Sequence, residues 1–364
     1  MRLVARIGLR AINSLVSLKT NIDYMQTNKS FKIILLSLMI LMFISTAALA
    51  NEVLFYKEAN LIGGYSNRDR WVGKSNDLTN SVGFEDYRKF SNEYGDYLTT
   101  DLQLRLAYDS MQNSHNAWGI QVHNAWLLYK MNYVAKLRIG HFDPAFGLEP
   151  QLDTHGTILQ TLAMKDIGFK KDWGFGLEGS FPKFDYKLAL QLGSGMGIHR
   201  RDDSYLFTSR IGTPTTENFQ YGISFLCGRV LDSEDMKTIP QDKLLSDKAV
   251  SKKRVGLDSQ YLFGSYLFKG EVAYGENDRK KVLGYLGELD YTIPKYQNWE
   301  LELQFQSWIN KLGESSSDDS TLTLGTSYKL NQSTTLRAAF SHDFNVMGEK
   351  NEDKVLLQFY FFGA

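Results

Sequence analysis

Residues 298–309 read NWELELQFQSWI. Trp299, Leu301, Leu303 and Phe305 alternate with Glu300, Glu302, Gln304 and Gln306, and the alternation lapses at Ser307 and Trp308. Successive side chains of a strand point to opposite faces, so one face here is apolar and the other acidic or amide. The same period-two pattern recurs in DLQLRLAY (101–108), WGFGLEGSF (173–181), DYKLALQL (185–192), TLTLGTSYKL (321–330) and TTLRAAFSHDF (334–344). Either a soluble sandwich, with its apolar face on a core, or a membrane barrel, with its apolar face on lipid, produces such strands.

The connections separate the two. Sixteen strands are predicted near 52–65, 83–90, 97–109, 116–130, 133–142, 173–181, 184–194, 204–213, 219–229, 253–263, 265–275, 281–292, 298–309, 320–330, 334–344 and 354–362. Every second connection is then short, such as Pro182-Lys183, Gly264 and 331–333. The others are mostly longer: 66–82, 143–172, 195–203, 230–252, 310–319 and 345–353, with 110–115 and 276–280 merely modest. Long loops on one rim and short turns on the other is the asymmetry of outer-membrane barrels, and an even strand count returns both termini to the short-turn side. A sandwich has no reason to segregate its loops. The expected fold is all-β: a transmembrane, antiparallel, up-and-down β-barrel of about 16 strands, with long extracellular loops and short periplasmic turns. Its apolar face meets outer-membrane lipid and its polar face a wet lumen.

Aromatic residues, 13% of the chain, gather near strand ends. Tyr97, Trp118, Trp126, Tyr129, Trp173, Phe181, Tyr291, Trp299, Trp308, Tyr328 and Phe344 are read as girdles at the headgroup level. One long apolar run, FKIILLSLMILMFISTAALA (31–50), follows Lys29 and ends in Ala48-Leu49-Ala50. It reads as a secretory signal peptide cleaved after Ala50, with an uncleaved anchor as the alternative and Met25 as a second candidate start. The predicted organisation is a signal peptide over 1–50 and a barrel over 51–364. Without residues 1–50 the chain carries 35 basic and 40 acidic side chains, a net charge of −5. That balance excludes a nucleic-acid footprint. Cys227 is the one cysteine, so there is no intramolecular disulfide and no thiol metal cluster.

The terminal KVLLQFYFFGA (354–364) resembles the closing strand of outer-membrane barrels, with Gly363 and Ala364 added after Phe362. RIGHFDPAFGLE (138–149) resembles a segment of the phosphate-selective porins O and P, in which a strand runs into a Pro-x-Phe-Gly loop. The resemblance implies an outer-membrane porin for small hydrophilic solutes or ions, often a homotrimer. Phosphate does not follow from it, because the chain shows no Lys/Arg cluster of the kind those pores depend on.

Selectivity in a wide barrel comes from charged lumen side chains and any inward-folded loop. Where one face is clearly apolar, the opposite face carries Arg105, Lys136, Arg138, Lys187, Arg210, Arg254, Lys269, Lys329 and Arg337. It also carries Asp101, Glu178, Asp258, Glu271, Glu288, Asp290, Glu300, Glu302 and Asp343. Basic positions predominate up to residue 213 and acidic ones after it, which predicts a field across the lumen. The bland alternative is that these charges only solvate a wet interior. The loop 143–172 is long and apolar, and TILQTLAMKD (157–166) within it fits a short helix. It is expected to fold into the barrel and present Asp153, His155, Lys165 and Asp166 to the passage. Packing over the rim is the alternative. The charged loop 230–252 is expected to face solvent.

No catalytic residue, cofactor or metal site is expected. His342 neighbours Ser341 and Asp343, but adjacent strand residues face opposite ways. His115, His123, His141, His155 and His199 show no metal-ligand spacing, and GSGMG (193–197) opens no helix. Two other readings remain: a barrel sheath around a partner such as a cytochrome, and an outer-membrane barrel enzyme.

Overall fold

The computed structural model describes residues 52–75, 78–109, 118–152, 156–197, 202–233, 244–313, 318–344 and 351–364. The proposed signal segment, Asp153, His155, His115 and His199 lie outside the described residues.

Sixteen strands of 7 to 20 residues close an antiparallel barrel. They are β1 (Glu52–Ser66), β2 (Leu78–Asn92), β3 (Gly95–Tyr108), β4 (Trp118–Lys130), β5 (Lys136–Phe142), β6 (Asp172–Phe181), β7 (Phe184–Gln191) and β8 (Tyr205–Gly212). The chain continues through β9 (Phe219–Ser233), β10 (Leu244–Phe263), β11 (Tyr266–Asn277), β12 (Lys280–Thr292), β13 (Trp299–Ile309), β14 (Asp318–Lys329), β15 (Thr334–Phe344) and β16 (Glu352–Gly363). Two short strands, Arg70–Val72 and Lys74–Ser75, fold at the rim after β1. Each of the sixteen pairs with the next, and β16 returns to β1 with Phe359 opposite Leu61. Closure leaves no backbone edge unpaired, the condition for a sheet to stand in hydrocarbon.

The two faces differ as the alternation requires. On β13, Leu301, Leu303 and Phe305 are 45%, 42% and 37% exposed, while Gln304 and Gln306 are 2% and 4% exposed. The exposed apolar face is therefore the outer one, and Glu300 and Glu302 share the inner face with Gln304. Near the short turns, neighbouring strands stack outward rings: Tyr266 on Tyr291 and Trp299 by Tyr328, each pair 4.7 Å apart. At the other rim Tyr108 and Trp118 lie 4.9 Å apart.

The sequence reading needs four corrections. Trp308 is not a girdle residue: it pairs with Gly284 and Asp319 on the inner face and is 3% exposed, so β13 runs on to Ile309 past the lapse in its apolar pattern. Trp126 also turns inward. A bulge in β4 near His123 shifts the parity, and Trp126 then shares a row with inward Asp101. Much of 230–252 is hairpin rather than loop, because β9 runs to Ser233 and β10 begins at Leu244. Finally, β11 and β12 are joined on the long-loop side by Asp278-Arg279 alone, at φ 45° and 71°. Two left-handed residues make the tight hairpin turn whose twist suits paired strands.

Candidate functional site

The interior is organised by the segment 143–171. It leaves the wall at Phe142, the end of a strand of only seven residues, and rejoins it at Asp172. Pro144-Ala145-Phe146-Gly147 docks it on the inner wall. The Ala145 amide donates to Thr208 Oγ1 (2.8 Å), the Gly147 amide to Ser224 Oγ (3.1 Å) and the Leu148 amide to Glu271 Oε2 (3.1 Å). Gly147 has φ 61°, and a Cβ there would overlap the Glu271 carboxylate, so the turn needs glycine twice over. Phe146 joins Ile167 and Phe169 in an apolar cluster with wall residues Leu206, Leu226, Val230, Ala273, Val282 and Trp308.

From Gly156 on, the described residues lie against the opposite wall. Ile158 and Leu159 pack with Ile62, Ala339 and Leu356. Arg337 Nη1 and Gln358 Nε2 donate to the Gly156 carbonyl at 2.9 and 2.7 Å. A four-residue helix, α1 (Ala163–Asp166), lies on the return. Arg254 Nε meets Asp166 Oδ1 at 2.6 Å, with both side chains almost wholly buried, and Lys252 Nζ donates to the Ile167 carbonyl at 2.8 Å. Burial raises the Glu149 carboxyl above its ordinary range, and its carboxylate accepts from Thr161 Oγ1. At Asp143 burial pushes upward too, but the Lys171 ammonium at 2.6 Å outweighs it and holds the group below its usual value.

The register gives each of the proposed pore-lining side chains an inner position, and most are paired. Arg105 meets Glu58 at 2.8 Å, Arg138 meets Glu178 at 3.0 Å, and Arg210 meets Asp258 at 2.5 Å. Lys269 bridges Glu288 (2.5 Å) and Asp290 (2.7 Å). Lys136 stands in one row with Glu178, Lys187 and Arg210. Asp290 pairs with Glu302 across β12 and β13, and Glu300 lies opposite Ser327. Of the segment's residues, Lys165 binds Asp319 at 3.1 Å. Asp166 does not present its charge to the passage, since Arg254 sequesters it at 1% exposure.

Several inner charges escape sequence reasoning: Glu58, Lys252, Glu352 and Lys354. Glu58 lies in YKEANLIGG, where no clean apolar alternation sets a register. The inner aromatic ledge was hidden by the β4 bulge. Trp126 lies under the Arg138 guanidinium at 4.4 Å and edge-on to Tyr87 at 6.4 Å.

Beside Arg138, under the inserted segment, is a hollow of about 180 Å³. Phe142, Asp143, Ala145 and Pro150 border it from the segment side, and Arg138, Gly176, Glu178, Lys187 and Ala189 from the wall. Among the described residues no group of three His, Cys, Asp or Glu could hold a metal ion. His342 Nδ1 lies 2.6 Å from Asp353 on the outer face, while Ser341 faces inward beside Lys354. Cys227 is exposed on the outer face.

No family model and no curated protein sequence matches the chain. Solved structures do. The anion-selective porin from Comamonas acidovorans superposes with a TM-score of 0.62 at 11% identity, over 85% of this chain and 99% of that one. OmpT of Vibrio cholerae, an outer membrane protein, in its trimer form gives 0.55 at 12%, over 85% and 99%. The outer membrane channel DcaP of Acinetobacter baumannii gives 0.57 at 10%, over 85% and 97%. At such identities the likeness is one of fold: this is the barrel that outer-membrane porins and channels use.

Proposed function

We propose that the chain is an outer-membrane porin that lets small hydrophilic solutes or ions diffuse passively past the inserted segment. The observation that carries this reading is the segment 143–171 itself, held inside a barrel whose outer face is apolar and whose inner face is charged. The apolar belt suits lipid, and a segment crossing the lumen sets how wide the remaining way is. Lys136, Arg138 and Lys187 on one wall and Glu300 and Glu302 on the other are only part-buried, so they are the charges that meet a passing solute. They put opposite signs across the lumen. Three-fold assembly, as in the trimer form of the Vibrio protein, is part of the same proposal. No catalytic residue and no cofactor are assigned.

Purified protein in a planar bilayer under a salt gradient tests this. Steady single-channel steps support a porin, and the sign of the reversal potential reports which wall dominates. A folded, heat-modifiable barrel that stays silent in every preparation overturns it.

A further inference from the structure

The hollow under the segment combines features that a merely wet interior does not need. Arg138 binds Glu178 through Nη2, but its Nε is buried and makes no hydrogen bond. The Trp126 and Phe142 rings lie 4.4 and 5.8 Å from its guanidinium. Lys187, across from Glu178 in the neighbouring row, bonds to the Pro150 carbonyl, so its ammonium has donors to spare. Asp143 gives Oδ1 to Lys171 and keeps 28% of its side chain open. The room comes from small wall residues: Ala189, and Gly176, where a Cβ would stand 3.1 Å from the Phe142 ring.

We propose that this hollow is a subsite for a small zwitterion of the α-amino-acid type, its carboxylate held by Arg138 and Lys187 and its ammonium by Asp143. A simple anion would meet the Asp143 and Glu178 carboxylates at close range, each already engaged by one cation (Lys171 and Arg138), and a simple cation would meet Arg138, Lys187 and Lys171. In a low-dielectric hollow either mismatch is expensive. A species carrying both signs satisfies both sets, and guanidinium and ammonium donors suit a carboxylate. The small volume and the Phe142, Ala145 and Ala189 lining restrict it to short side chains. The porin reading is needed only for how the solute arrives and leaves.

Calorimetric titration of the full chain in detergent, with alanine, acetate and methylammonium as probes, tests this. Alanine is expected to bind at least tenfold more tightly than either single-charge probe. Ala189→Leu fills the hollow and leaves every charge in place, and Asp143→Asn removes the ammonium partner. Each should weaken alanine at least tenfold, and Asp143→Asn decides alone if the leucine variant does not fold. Acetate binding as tightly as alanine, or no binding of alanine, overturns the subsite. A conducting channel that binds no alanine sinks the subsite and leaves the porin standing. Alanine bound to a barrel that never conducts does the reverse.

Discussion

Asp166→Asn tests what holds the segment in the lumen. The substitution keeps size and shape and removes one charge of a pair 2.6 Å apart, with side chains 0% and 1% exposed. Removing one partner of a buried pair typically costs about 3 to 5 kcal/mol, because the other charge is left without compensation. Arg254 is better placed than most, since it also donates to the carbonyls of Lys253 and Glu276 and to Asn277 Oδ1 at 2.6 to 2.9 Å. The low end, about 3 kcal/mol, is therefore expected, and at 1.4 kcal/mol per decade that is about a hundredfold more of the detached segment. Hydrogen exchange reads it directly. The Asp166 and Ile167 amides donate to Leu162 and Ala163 at 2.8 Å, and they should exchange about a hundredfold faster while β13 amides keep their protection. The double variant Arg254→Met/Asp166→Leu removes both charges, and it should recover most of the loss, as apolar replacements of whole buried pairs commonly do. Exchange within threefold of wild type in Asp166→Asn would show that the apolar contacts alone hold the segment, and the reasoning from the ion pair would fail.

Leu303→Arg places a charge on the outer face and should cost about 2 to 4 kcal/mol near the bilayer midplane, whereas Glu300→Arg, at a part-buried inner position of the same strand, should cost far less. Urea unfolding in lipid vesicles separates them, and equal losses would mean the faces are misassigned. Glu300→Lys/Glu302→Lys should swing the reversal potential towards anion preference, and an unchanged potential would strip these residues of any part in selectivity. Glu149 has a folded-state carboxyl raised by burial, so its neutral form is the one the fold favours. The segment should therefore be best protected below the ordinary carboxylate range and lose protection as pH rises towards the raised value, while Glu149→Gln should show a smaller loss over the same range. Exchange of the Ala163 amide across pH 4 to 8, corrected for intrinsic rate, checks this.

The strands were legible because lipid and lumen impose opposite demands on alternate residues, and period two is visible in one sequence. Even β2, weak in sequence because Glu85 and Tyr87 face inward and Phe84 and Asp86 outward, was placed by loop-length alternation alone. What failed was local. A bulge changes parity without a compositional mark, so Trp126 was put on the wrong face, and Trp308 was misread because inward tryptophan looks like a girdle residue. The pairing of inner charges was illegible for a different reason. Arg105 and Glu58 lie on non-adjacent strands, and Arg254 meets Asp166 in a segment that belongs to no strand. Such partners follow from register and from the path of the segment, neither of which one sequence states.

The same segment weighs against a sheath around a protein partner. Phe146, Leu148, Ile158, Leu159, Leu162, Ile167 and Phe169 are each 6% exposed or less, packed against the wall or one another. Burying a side chain of this size is worth about 1.5 to 3 kcal/mol, so clearing the lumen exposes groups worth on the order of 10 to 20 kcal/mol before any ion pair is counted. That matches the whole binding free energy of a nanomolar complex or better, about 12 kcal/mol. A partner filling the barrel would have to replace every one of those contacts merely to break even. A small solute faces no such demand, because it needs only the space the segment leaves.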